Sequence, residues 1–273
     1  MDTTIACIGC GVMGGALMRA MATVVSPKNI TVSAVTSEEA EAFAAKVGCN
    51  AAPTNAAAVK DAKVVFLAVK PAFVEQVLSE IATSLLPDAT VVSMAAGVPI
   101  ATLHKTLDSA LPAGNTHSLV RIMPNMPAAI GEAMVALSAN SSAHSYDVAV
   151  VKELLESAGK VEQVDEKLMD CVTAVSGSGP AFVFMFIEAL ADAAVRFGMP
   201  RKQAYIYAAQ TVKGSAAMML ETGRLPADLK DGVCSPAGTT IEGVATLERT
   251  GLRNSVIEAV SAAYTKSVAL GKK

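Results

Sequence analysis

The sequence predicts an α/β half followed by an all-α half. Three observations carry that prediction. Short apolar runs alternate with helix-like stretches as far as about Val164, a glycine-rich turn follows the first of those runs at once, and beyond Val164 only helical periodicity continues.

Taken in order, Thr4 to Ile8 is a short apolar strand, followed by glycines and a helix-like stretch from Val12 to Val25. Ile30 to Val35 reads as a second strand and Glu38 to Val47 as a second helix. Lys63 to Val69 is a strongly apolar strand with a helix after Pro71, and Thr90 to Met94 and Leu119 to Met123 are two more strands. A strand–helix–strand passage runs from Ala133 to Val164, with Ser145 to Ser157 as its helix. Strands apolar on both faces and separated by helices imply a doubly wound parallel sheet covered on each side. Lys167 to Val175, Pro180 to Phe197, Arg201 to Thr222, Thr240 to Glu248 and Leu252 to Leu270 then read as helices. They are punctuated by Gly198-Met199-Pro200, by Gly223 to Pro226 and by Ser235-Pro236-Ala237-Gly238. The expected domains are 1–164 and 165–273. The stretch Ala181 to Ile187 is apolar nearly all round, and in so small a helical domain the expected cover is a partner subunit.

Composition narrows the function classes. A chain of 273 residues that is 52% hydrophobic and 17% charged is not a disordered chain. Twenty-two basic residues against 25 acidic ones, without basic clusters, exclude a protein that lives by binding nucleic acid. Mean hydropathy is high, at +0.44. Yet the longest uncharged stretch, Cys171 to Ile187, is interrupted by Ser176-Gly177-Ser178-Gly179-Pro180 and followed by Glu188, so no membrane span is expected. The first residues carry no positive charge and their apolar run is broken by glycines, which argues against a signal peptide. Five cysteines, an odd number, suggest a reducing, cytoplasmic setting. Cys7 and Cys10 form a C-x-x-C with no second pair, and His104, His117 and His144 are scattered, so packing and surface roles are expected and no metal site.

Gly9-Cys10-Gly11-Val12-Met13-Gly14 is a G-x-G-x-x-G between a strand and a helix. Its glycines serve a tight turn, close backbone approach to a pyrophosphate and close helix-to-strand packing, and the helix N-terminus offers N–H groups to the phosphates. This is the fingerprint of a Rossmann-type dinucleotide-binding domain. At the end of the second strand, where an acid would select NAD, stand Thr36 and Ser37, whose hydroxyls suit a 2′-phosphate. The competing reading is a capping box of Thr36 with Glu39, and Glu38 and Glu39 would repel a phosphate they faced. NADPH is favoured, with NADH as the alternative.

Further motifs lie at strand ends: Ala68-Val69-Lys70-Pro71, Ala95-Ala96-Gly97-Val98 and Met123-Pro124-Asn125. In the helical half come Ser176-Gly177-Ser178-Gly179-Pro180-Ala181 and Ser235-Pro236-Ala237-Gly238-Thr239-Thr240-Ile241. Together, in this order, they resemble the pyrroline-5-carboxylate reductase family over essentially the whole chain. The resemblance implies an N-terminal Rossmann domain and a helical dimerisation domain that interlocks with a partner subunit to form a shared active site. Pentamers of such dimers also occur in the family. It further implies hydride transfer to the C5 imine carbon of 1-pyrroline-5-carboxylate, giving proline. Thr240 would place its hydroxyl on the substrate nitrogen, as a donor and orienter rather than a general acid, since a Thr hydroxyl is too weak an acid. Ser235 and the N–H groups of Gly238, Thr239 and Thr240 would hold the carboxylate at a helix start. An ordinary helix cap is the bland alternative for that segment. Asn55 matches a family cofactor contact, though an Asn there is usually only a cap. Ala68 to Pro71 would lie along the nicotinamide ribose and pyrophosphate, Ala95, Ala96 and Gly97 would keep the cofactor path narrow, and Asn125 would bond on the nicotinamide side. The sequence has Ala237 where the family commonly has a second Gly, which costs little if φ there is negative.

Two rival classes are weighed. A β-hydroxyacid dehydrogenase shares this plan but needs a Lys and an Asn on the long helix, where Val183 and Ile187 stand. A non-catalytic NADP-binding sensor would not need the donors at 235–241. An imine reductase acting on another cyclic imine fits nearly as well.

Overall fold

The computed structural model describes residues 2–112, 117–141 and 143–271. Eight strands form one sheet: β1 (Ile5–Ile8), β2 (Ile30–Ser33), β3 (Asn50–Ala51), β4 (Val64–Leu67), β5 (Thr90–Ser93), β6 (Ser118–Met123), β7 (Ala133–Ala139) and β8 (Gly159–Gln163). Their order is β3-β2-β1-β4-β5-β6-β7-β8, so the direction of winding reverses between β1 and β4.

Period-two alternation sends neighbouring residues to opposite faces, and each face has its own core. Cys7, Phe66, Val92 and Val120 belong to one, Ala6, Leu67, Val91 and Leu119 to the other. Helices α1 (Val12–Met21) and α2 (Ser37–Val47) cover the first face together with α6 (Ser145–Glu156). The second is covered by α3 (Asn55–Val59), α4 (Val74–Ile81) and α5 (Ile100–Ala110). The expected two-sided sheet is present, with one difference. β7 runs antiparallel to β6. Only a short 3₁₀ turn over Met126–Ile130 joins them, and a parallel crossover needs a dozen residues or more.

The helical part contains α7 (Met169–Val172), α8 (Gly179–Arg196), α9 (Arg201–Thr222), α10 (Pro226–Val233), α11 (Thr239–Arg249) and α12 (Leu252–Leu270). Two compact units result: Met1–Ser178 with Ala263–Lys273, and Gly179–Ala262. Within the second, α8 and α9 approach through Ala191, Ala204 and Ala208, and Arg201 pairs with Asp192. Its large apolar side chains stand in the open, among them Phe184, Met185, Tyr207 and Leu220.

The glycine-serine stretch does not break the helix as its composition suggests. Residues 173–177 form a π-turn that carries the helical path from α7 into α8. Ser178 N–H donates to the Thr173 carbonyl at 2.9 Å, and the hydroxyls of Thr173, Ser176 and Ser178 bond back to carbonyls in the preceding turn. Such back-bonding bends and loosens a helix. Pro180 is therefore the second residue of a continued helix.

Candidate active site

The sheet ladder itself lines up the cofactor loops. Gly9 N–H donates to the Ser33 carbonyl at 2.9 Å, Ala68 N–H to Ile8 at 2.9 Å, and Met94 N–H to Leu67 at 3.3 Å. The carboxyl ends of β2, β1, β4 and β5 thus lie side by side at the reversal point, where open α/β sheets bind ligands.

Gly9 has φ +97°, and a Cβ there would stand 2.5 Å from the Ala68 carbonyl oxygen. A Cβ on Gly14 would stand 2.1 Å from the Gly9 carbonyl oxygen and 2.7 Å from the Ala68 Cβ. Both glycines are demanded by the protein. Gly11 is different: nothing lies within 4 Å of its Cβ position, although it caps α1 in an extended conformation any residue adopts. A bare backbone there leaves room for a ligand to approach. Val12 and Met13 follow as the first helical residues, with no acidic side chain in that turn. The exposed mouth of α1 therefore fits a pyrophosphate.

Cys7 and Cys10 are both free thiols. Cys7 is fully buried, and its Sγ donates to the Gly9 carbonyl at 3.4 Å. Burial pushes its thiol far above the ordinary range, with Cys10 and Cys49 adding to the shift. Burial also raises Cys10, and both shifts disfavour the thiolate that redox chemistry needs. His117 is more buried than a surface residue, with Nε2 3.0 Å from the Leu86 carbonyl oxygen. Among the described residues, no group of three or more His, Cys, Asp or Glu side chains is placed to hold a metal.

At the β2 end, Thr36 Oγ1 caps α2 by accepting from Glu39 N–H at 3.3 Å. Thr36 and Ser37 are exposed, with Glu38 and Glu39 in the same first turn. Asn55 is not the cap of α3. Thr54 holds that place and accepts from Ala57 N–H, because its hydroxyl sits one residue earlier. Asn55 instead accepts from Ser33 Oγ at 2.8 Å and donates to Glu80 at 3.2 Å, which fixes its amide beside β2. Ala68 and Val69 are half-buried, Lys70 and Pro71 exposed. Ala95 is buried while Ala96 and Gly97 are half-buried. Asn125 is buried with both ends of its amide in use: Nδ2 donates to the Ser176 carbonyl and Oδ1 accepts from Met134 N–H, each at 3.0 Å. The Ser176 bond reaches into the π-turn.

In the helical unit, Ser235 to Gly238 is a turn closed by Gly238 N–H donating to the Ser235 carbonyl at 3.1 Å. That bond occupies one of the expected carboxylate donors. The N–H groups of Thr239 and Thr240 stay, as first-turn groups of α11, without a helical partner. A Cβ on Gly238 would lie 2.3 Å from Ser235 Oγ, which would have to rotate away, and 3.1 Å from the Ser235 carbonyl oxygen. Ala237 departs from expectation: its φ is +56°, in the left-handed region. With Pro236 at the second position, the pattern is that of a type II turn, which favours Gly at this place.

Sequence reading missed four polar residues beneath the β5 loop. Arg121 lies buried in β6 and donates to Glu166 Oε1 at 3.2 Å; the same oxygen accepts from Ile100 N–H at 2.7 Å. Ser267 donates to Asp170 Oδ1 at 2.6 Å. A charged residue inside the apolar run Leu119–Met123 is the one signal that was available.

A sheet wound both ways from a glycine-loop switch point is the architecture of a dinucleotide-binding domain. Two family models agree: an F420-dependent NADP oxidoreductase model over residues 4–97, and a pyrroline-5-carboxylate reductase dimerisation model over 166–270. The chain belongs to the pyrroline-5-carboxylate reductase family. It is 44% identical to the pyrroline-5-carboxylate reductase of Escherichia coli (strain K12) over 274 residues, covering 100% of both chains. A pyrroline-5-carboxylate reductase structure from Coxiella burnetii superposes with a TM-score of 0.90 at 31% identity, covering 100% of each chain. The Plasmodium falciparum pyrroline carboxylate reductase, solved with NADP bound, gives 0.86 at 30% identity, covering 99% of this chain and 98% of that one.

The dimerisation match also bears on hydropathy. The helical run 166–196 is long and apolar enough to cross a membrane by length and composition, which a count of uninterrupted apolar residues overlooked because the π-turn keeps the helix going. That run opens the segment matched by the dimerisation model.

Proposed function

We propose that this chain reduces the C5=N bond of 1-pyrroline-5-carboxylate to give L-proline, the closing step of proline biosynthesis, with NADPH preferred over NADH. The observation that carries the cofactor half is the open space at Gly11 beside two glycines whose side-chain positions are filled. When bound, the nicotinamide supplies a hydride to the imine carbon. Gly9 to Gly14 hold the pyrophosphate, with Ala68 to Pro71 along the nicotinamide ribose. Asn55 and the Thr36 and Ser37 hydroxyls lie at the adenosine side, where the absence of an acid at positions 34–37 supports NADPH, Glu38 and Glu39 following in the first turn of α2. Ala95 to Gly97 flank the nicotinamide, and Asn125 acts on that side by holding the β6–β7 turn.

For the substrate, the Thr239 and Thr240 N–H groups and Ser235 Oγ receive the carboxylate. The Thr240 hydroxyl donates to the ring nitrogen and orients it. Gly238 serves the turn. Domain roles follow as 1–164 for the cofactor and 165–273 for substrate and dimerisation. The protein acts in the cytoplasm as a homodimer whose subunits complete the active site together, with a pentamer of dimers as the larger assembly. The test is oxidation of NADPH at 340 nm with 1-pyrroline-5-carboxylate, repeated with NADH and with Thr240→Ala. Loss of turnover in that variant, with cofactor binding kept, supports the assignment. Unchanged turnover removes Thr240 from it.

A further inference from the structure

The loop Ala95–Pro99 after β5 is gripped from two sides by residues remote in sequence. On one side, Glu166 Oε1 accepts from Ile100 N–H, the first backbone donor beyond the loop, while Arg121 holds the same carboxylate from below. On the other, the end of α12 lies against the loop itself. Gly97 has φ +75°, and a Cβ on it would stand 3.1 Å from the Gly271 nitrogen. A Cβ on Gly271 would stand 2.9 Å from the Gly97 carbonyl oxygen. One turn before Gly271, Ser267 is 3% exposed and its Oγ donates to Asp170 Oδ1 at 2.6 Å. Glu166 and Asp170 sit four residues apart, so a single short segment reaches both grips.

We propose that Asp170 and Ser267 are positioning residues for the nicotinamide half of the cofactor. They hold the end of α12 against Gly97 and so fix the backbone of the Ala95–Pro99 loop. This rests on the reading of that loop as the nicotinamide flank, which follows from its place beyond the switch point on the side away from β2. Neither side chain touches the reacting atoms. Without the Ser267 bond, the end of α12 lifts and the loop loses the surface that sets its path.

The experiment measures KM for NADPH, KM for the imine and kcat, together with the Kd for NADPH from its fluorescence without substrate. Ser267→Ala and Asp170→Ala are each expected to raise KM and Kd for NADPH about five- to tenfold, less than the full worth of one hydrogen bond to a carboxylate because the bond reaches the cofactor only through the loop. KM for the imine should stay within about twofold, as for sites that do not share partners. Asp170→Asn keeps an amide oxygen that accepts from Ser267 and is expected to restore cofactor affinity. A merely structural role would lower the melting temperature without moving Kd, and would not distinguish Asn from Ala at 170. Either of those results overturns the proposal. Gly11→Ala is measured alongside. If it too leaves Kd unchanged, the cofactor reading itself fails. If it weakens binding while Ser267→Ala does not, only the grip fails.

Discussion

Replacing Gly11 by Ala separates what the protein requires from what the cofactor requires. Nothing in the chain lies within 4 Å of the new methyl group. The backbone at Gly11, φ −66° and ψ −158°, is open to any residue. An Ala at a helix N-cap is worse than Gly by about 0.5–1 kcal/mol, and its lower unfolded-state entropy returns about 0.4–1 kcal/mol. Stability should therefore change by less than about 0.5 kcal/mol. Binding is another matter. A methyl group at the mouth of α1 pushes a pyrophosphate off the N–H groups it would accept from, and one charged hydrogen bond is worth about 1.5–3 kcal/mol. KM for NADPH should rise roughly ten- to hundredfold. The assay pairs urea unfolding with NADPH titration. Gly14→Ala is the contrast: its Cβ would meet the Gly9 carbonyl oxygen at 2.1 Å, and it should cost about 3 kcal/mol of stability. A Gly11→Ala protein that unfolds at lower urea yet binds NADPH as before would refute the reasoning.

Other outcomes follow from the same geometry. Ala237→Gly removes a left-handed alanine that costs about 1–2 kcal/mol, against about 0.4–1 kcal/mol of added unfolded-state entropy; the urea midpoint should rise, and a lower one would mean the turn is not left-handed. Cys7 stays protonated in the fold above the pH at which an unfolded thiol ionises. The folded state then holds more protons, so stability falls as pH climbs beyond the ordinary thiol pKa, by at most about 1.4 kcal/mol per unit. Cys7→Ala should show a shallower decline, and equal slopes would contradict the cause given. In native protein at neutral pH, a thiol reagent should label exposed Cys171 and leave Cys7 untouched; rapid labelling of Cys7 would contradict its burial.

Much of the fold was legible because burial speaks through pattern. β1, β4 and β5 are apolar on both faces since helices cover each side, and that reads directly from Ile5–Ile8 or Val64–Leu67. Helices α3 and α10 escaped notice because they are short and too poor in apolar periodicity to declare a face. The reversal of β7 depends on loop length, and the π-turn on Thr173 and Ser176 bonding backward; neither leaves an apolar signature. At the site, the glycines were readable as a motif, but which of them the protein itself needs emerges only from the neighbours of each Cβ. The φ of Ala237 and the partner of Gly238 N–H are properties of a turn, and residue type alone does not report them. Asp170 and Ser267 are 97 positions apart, beyond the reach of any local pattern.

The sheet ends in two very different margins, and both are poor templates. β3 is two residues long, and β8 turns Lys160 and Glu162 outward. A second chain arriving edge-on meets too little backbone, or charge, to extend the ladder. The apolar surface is instead gathered on helices such as α8 and α9. Helical faces pair by shape at particular places, whereas a bare strand accepts any strand at any register. The chain thus confines its adhesiveness to the surface able to choose a partner, and at high concentration copies should meet as assemblies of defined size rather than as fibrils.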